Sequence, residues 1–132
     1  MIVWKDEYSI GVEHIDNQHR HLVEIANKAY DVLENQFYTD KYDKIAEILD
    51  ELKGYTVLHF RDEEELMTNL KYKKFLSHKV EHDDFINKVK SIDLEKVDLN
   101  QEKYLLDIVN FIVDWLVSHI IEKDKLITQD NL

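Results

Sequence analysis

Histidines and carboxylates at helical spacing are the part of this chain that could do chemistry. His59 and Glu63 stand four residues apart, as do His78 and His82, and residues so spaced are neighbours on one helix face. Side chains at that separation can converge on one metal ion or on two adjacent ones, and imidazole suits Zn, Cu, Fe and Ni. His19 and His119 stand apart from these pairs. Either pair alone is a weak signal, because a lone histidine on an apolar face is more often a satisfied core residue than a ligand. The chain has no cysteine, which excludes disulfides, thiolate metal sites and a cysteine nucleophile.

The elements that must position these groups follow from apolar periodicity. Four segments, about 16–37, 41–70, 73–92 and 99–127, carry residues at helical spacing. The first stripe is Ile15, His19, Leu22, Ala26, Ala29, Leu33 and Phe37. The second is Ile45, Leu49, Leu52, Thr56, His59, Glu63, Leu66 or Met67, and Leu70. The third is Phe75, His78, His82, Phe85, Val89 and Ile92, and the fourth Leu105, Ile108, Ile112, Trp115 or Leu116, and His119. Asp16 is the expected N-cap of the first helix. Thr39–Asp40, Leu70–Tyr72 and Asp93–Asn100 are the expected connections. Two glycines and no proline argue against a sandwich or barrel, whose tight turns use those residues. The expectation is an all-α, antiparallel up-down-up-down four-helix bundle, one domain over 1–132 with an N-terminal arm over 1–15.

In that topology the start of the first helix lies beside the end of the second, the start of the third and the end of the fourth. His19, His59, Glu63, His78, His82 and His119 therefore fall in one layer, each in a slot where the spacing asks for an apolar residue. Buried polar groups are costly unless hydrogen-bonded, and buried charges unless paired or bound to metal. Five histidines exceed what one ordinary site needs, and a bridging carboxylate would hold two ions together. Beyond His119, spacing alone favours Glu122, three residues on. Asp124, five residues on, lies about 140° round an ideal helix. Asp62, Glu64 and Glu65 read as a solvated face, and His14 and His21 as surface residues.

The segments DNQH (Asp16–His19), HFRDEEELM (His59–Met67), HKVEH (His78–His82) and WLVSHIIEKD (Trp115–Asp124), with GVEHID (Gly11–Asp16) and Trp4 before them, resemble the hemerythrin family in its single-domain bacteriohemerythrin form. The resemblance spans nearly the whole chain. It implies a non-haem diiron centre with His78, His82 and His119 on one iron and His19 and His59 on the other. Glu63 and Asp124 would bridge both, together with an oxo or hydroxo group. The family pattern thus chooses Asp124 over Glu122, which requires a lateral approach or a widened π turn. One coordination position stays open, on the His19/His59 iron, for dioxygen as ligand. Phe60, Trp115, Leu116 and Ile120 flank ligand positions and are candidates to wall a ligand pocket, with plain core packing as the alternative. The join between the second and third helices, NLKYKKF, departs from the family in having neither Gly nor Pro.

Reversible dioxygen binding by a carrier, a store or a donor to an oxygen-consuming enzyme is the expected function, rather than enzymatic turnover. No Glu-x-x-His occurs, the pattern of carboxylate-rich diiron bundles. The other readings are an oxygen or redox sensor acting through a separate partner, a diiron enzyme handling peroxide or nitric oxide, and a structural zinc bundle. A net charge of −11 argues against nucleic-acid partners. The absence of an apolar leader or span argues against membrane insertion and for the cytoplasm. A monomer is expected.

Overall fold

The computed structural model describes residues 2–34, 42–92 and 101–129. Its order is a 3₁₀ turn at Asp6–Tyr8, then α1 (Glu13–Glu34), α2 (Tyr42–Asn69), α3 (Phe75–Lys90) and α4 (Gln101–His119). A π-helical segment at Ile120–Asp124 follows directly, then α5 (Lys125–Gln129). α1 packs on α2 and α4, and α2 packs on α3. α3 meets α4 through rings, with Phe85 stacked on Trp115 at 4.1 Å. This is the expected all-α four-helix bundle. Phe37, Thr39–Asp40, Asp93–Asn100 and the helix ends expected at 35–37, 41 and 99–100 lie outside the described residues.

The apolar stripes face inward where the spacing places them. Leu22, Ala26 and Ala29 of α1, Ile45, Leu49 and Leu52 of α2, Phe85 and Val89 of α3, and Leu105, Ile108 and Ile112 of α4 form one buried cluster. Removing a Leu, Ile or Phe side chain from water contributes about 1.5–3 kcal/mol each. A second, smaller cluster of Met67, Tyr72 and Ile127, backed by Leu66, Phe75 and Leu126, closes the other end. Leu70, counted in the second stripe, is exposed instead.

Several boundaries differ from the sequence expectation. α1 begins at Glu13, so Asp16 lies inside it and is not its N-cap. The buried Asp16 carboxylate instead accepts from the Ser9 hydroxyl at 2.6 Å and the Ile10 amide at 2.8 Å. It staples the arm to the helix. Asn27 holds the arm's start by exchanging two 2.9 Å bonds with the Ile2 backbone, and Thr128 donates to the Ile10 carbonyl at 2.8 Å. The chain enters α1 through Gly11 at φ 87, a left-handed conformation that glycine takes without steric cost.

α2 ends without glycine or proline. The Tyr72 amide bonds the Met67 carbonyl and the Lys71 amide bonds the Thr68 carbonyl, both across Lys71 at φ 55. This pair of bonds is a Schellman stop with a lysine in the left-handed position. Its accompanying apolar contact is Tyr72 with Met67 in the smaller cluster.

Candidate metal centre

The polar layer lies between the two apolar clusters. His19, His59, Glu63, His78, His82, His119 and Asp124 are all buried, and Glu63 and Asp124 are 0% exposed. α1 contributes His19, α2 His59 and Glu63, α3 His78 and His82, and α4 His119. Two groups of potential ligand atoms form. One comprises Glu63, His78, His82, His119 and Asp124, and the other His19, His59, Glu63 and Asp124, with the atoms of each within 4.8 Å of one another.

The two carboxylates belong to both groups, and each divides its oxygens between them. Glu63 Oε1 lies 2.8 Å from His78 Nε2 and 3.0 Å from His82 Nε2. Its Oε2 lies 3.2 Å from His59 Nε2 and 3.5 Å from His19 Nε2. Asp124 Oδ1 lies 2.9 Å from His119 Nε2 and 3.0 Å from His78 Nε2, and its Oδ2 lies 2.9 Å from His19 Nε2.

Asp124 reaches the layer because the helix widens. The Lys125 amide bonds back to the Ile120 carbonyl, a five-residue step, which is the π pattern. Glu122, the choice from α-helical spacing alone, is exposed.

The donor set fits a metal cation. His119 Nε2 lies 3.1 Å from the Nε2 atoms of both His78 and His82. Ligands at right angles about an ion, with metal–nitrogen bonds of about 2.0–2.1 Å, are about 3 Å apart. The approaches that His19 Nε2, Glu63 Oε2 and both Asp124 oxygens make to their neighbours are short but lack hydrogen-bond alignment, so these buried atoms have no properly aligned hydrogen-bond partner among the described residues. Buried polar atoms normally have one.

Electrostatics in the metal-free chain follow the same geometry. Burial opposes the charged form of His19, but the Asp124 and Glu63 carboxylates outweigh it and hold the ring up at about 9. The same contest, led by Asp124, raises His119 to about 10 and also raises His78. His82 moves down, because burial and the neighbouring His119 and His78 charges overcome Glu63. Burial pushes the Glu63 and Asp124 carboxyls up, yet the imidazoles around them hold both well below the usual carboxylate range. Protons thus occupy the cluster where a cation would bind.

Outer partners orient the rings. His59 Nδ1–H donates to Gln18 Oε1 at 2.7 Å, and Gln18 Nε2 donates to Asp62 Oδ2 at 2.7 Å. Glu64 Oε2 lies 3.4 Å from His82 Nδ1, and Glu81 Oε2 lies 3.2 Å from His119 Nδ1. Asp62 and Glu64 are therefore partly covered and bonded, unlike the solvated residues expected, whereas Glu65 is exposed. His14 is exposed but bonds Asp62 at 3.0 Å. His21 is only half-buried, against Tyr55. The sequence expectation gave Glu64 no role beyond a solvated face and gave Gln18 and Glu81 none. Only Gln18 carried a signal, lying beside His19 and one turn after His14.

The pocket candidates separate into two pairs. Phe60 stacks flat on His82 at 3.8 Å, and Trp115 on His119 at 4.4 Å. Leu116 and Ile120 instead share a small apolar cavity with Ile2, Tyr8, Leu22, Val23 and Val117.

Comparison with known proteins agrees with this centre. The hemerythrin HHE cation binding domain family matches residues 10–129. The chain is 50% identical to the bacteriohemerythrin of Clostridium acetobutylicum over 125 residues, covering 95% of this chain and 97% of that one. It is 32% identical to that of Methylococcus capsulatus over 120 residues, covering 91% and 88%. A crystal structure of wild-type hemerythrin superposes with a TM-score of 0.77 at 30% identity, covering 98% of this chain and 96% of that one. With this family model matched over residues 10–129 and a relative 50% identical across nearly its whole length, the chain belongs to the hemerythrin family.

Proposed function

We propose that the chain binds dioxygen reversibly at a non-haem diiron centre. His78, His82 and His119 would hold one iron and His19 and His59 the other, with Glu63 and Asp124 bridging. The observation that carries this reading is the division of both carboxylates, each with one oxygen toward either histidine group. A single-ion site has no use for that division. When bound, an iron pair with its oxo or hydroxo bridge supplies two electrons to dioxygen and recovers them on release.

The residues of the chain supply the rest. Five imidazoles leave no terminal carboxylate to shift or to act as a nearby base. The apolar clusters on either side, with Phe60 and Trp115 stacked on ligand rings, keep water from the layer, and exclusion of water suppresses side reactions. This favours a carrier, a store or a donor to an oxygen-using partner over an enzyme. Among the described residues no helix is long and apolar enough to cross a membrane, and a monomer in the cytoplasm accords with that role.

The test is iron content with absorption spectra through cycles of oxygen and argon. Two irons per chain and a charge-transfer band that comes and goes are expected. Irreversible oxidation or release of hydrogen peroxide would sink the proposal.

A further inference from the structure

We propose that Asp62 and Gln18 form a tautomer lock on His59, and that this lock makes the two-histidine half of the centre competent to hold its ion. The metal assignment rests on the diiron reading; the lock itself does not.

Each step follows from donor and acceptor inventory. An ionised carboxylate only accepts hydrogen bonds. Asp62 Oδ2 stands 2.7 Å from the Gln18 amide nitrogen and 3.0 Å from His14 Nε2. That fixes which way the Gln18 amide faces: nitrogen toward Asp62, oxygen toward His59. The oxygen can only accept, so at 2.7 Å it requires the proton on His59 Nδ1. In the neutral ring Nε2 then carries the lone pair, and Nε2 is the atom that faces Glu63 at 3.2 Å. Gln18 is 4% exposed and His59 1%, so water does not substitute for either partner.

The two halves of the centre differ in what stands behind them. In the three-histidine half, the carboxylates of Glu64 and Glu81 face the outer nitrogens of His82 and His119. In the two-histidine half, His59 has a neutral amide, and His19 Nδ1 has no hydrogen-bond partner among the described residues. Outer partners orient ligand imidazoles and raise their basicity, and losing one typically costs 10–100-fold in metal affinity. With one outer partner for two rings, the second half depends most on Gln18. Gln18 and Asp62 are positioning residues that act through His59.

The test combines ¹⁵N NMR of the His59 ring in the metal-free chain with Co(II) titration of the same proteins. The wild-type ring is expected as a single Nδ1–H tautomer. Gln18→Leu should give a tautomer mixture and weaken the second Co(II) step by about 10–100-fold, leaving the first within about twofold. Asp62→Asn frees the amide to flip and should fall between. The double variant Gln18→Glu with Asp62→Asn reverses the bond between positions 18 and 62, the new amide donating to the new carboxylate, but keeps an acceptor-only oxygen against His59 Nδ1. It should restore the single tautomer and the second step. If Gln18→Leu fails to fold, the double variant decides: a mixed tautomer there overturns the lock. An unchanged tautomer in Gln18→Leu overturns it too, as does equal weakening of both Co(II) steps. Wild-type uptake of one Co(II) would instead sink the two-ion reading, while the tautomer result still judges the lock.

Discussion

His119 and Asp124 are five residues apart, yet His119 Nε2 lies 2.9 Å from Asp124 Oδ1 because the helix between them is a π turn. On an ideal α-helix the two would point about 140° apart. The widened turn is what turns a surface position into one that faces both histidine groups.

Asp124→Ala should remove the carboxylate that the π turn brings to His119. Metal analysis should then find fewer than two ions per chain. Glu122→Ala, at an exposed position, should keep both ions and change stability by less than about 0.5 kcal/mol. The reverse ranking would refute the π-turn assignment.

Glu63 is the acidic residue that reaches both histidine groups from α2. Glu63→Ala should abolish stoichiometric two-ion binding. In the metal-free chain it also strips buried, proton-holding imidazoles of a counter-charge, a loss of about 3–5 kcal/mol by analogy with broken buried pairs. Urea unfolding together with metal analysis reads both effects.

Stability of the metal-free chain should depend on pH in both directions. His19 and His119 rise from 6.5 to about 9 and about 10. Their contribution is complete below about 6.5 and is lost as pH climbs through 9–10. Glu63 and Asp124 fall below their ordinary 4.5 and 3.8. Their contribution is present above those values and is lost in acid. A maximum between about pH 5 and 6.5 is expected from urea midpoints. Because an ion displaces these protons, Zn(II) uptake at pH 7 should release protons, detectable with an indicator dye. Uptake without proton release would contradict the charge assignment.

Lys71 holds a left-handed conformation at the end of α2. That conformation costs an ordinary residue about 1–2 kcal/mol, and glycine's greater freedom in the unfolded chain offsets about 0.5–1 of it. Lys71→Gly should therefore raise stability by about 0.5–1 kcal/mol, seen as a higher urea midpoint with an unchanged slope. A lower midpoint would mean that the lysine side chain contributes something the backbone does not show.

The bundle and six of the seven clustered residues were legible in one dimension. Helical periodicity is local, so His19, His59, Glu63, His78, His82 and His119 declare themselves by sitting in apolar slots. Up-down topology then places them in one layer. Asp124 was legible only through resemblance to a family, because α-helical spacing points to Glu122 instead. Other features needed the folded chain. Asp16 staples the arm to α1, where a cap was expected, because Ser9 and Ile10 fold back over it. Gln18 reaches His59 across the α1–α2 interface, and Glu81 reaches His119 from α3 to α4. Met67, Tyr72 and Ile127, from three separate segments, close the end of the bundle. Such contacts depend on how helices are rotated and shifted against one another. A pattern of spacing within one helix records which face turns inward, but not what that face meets.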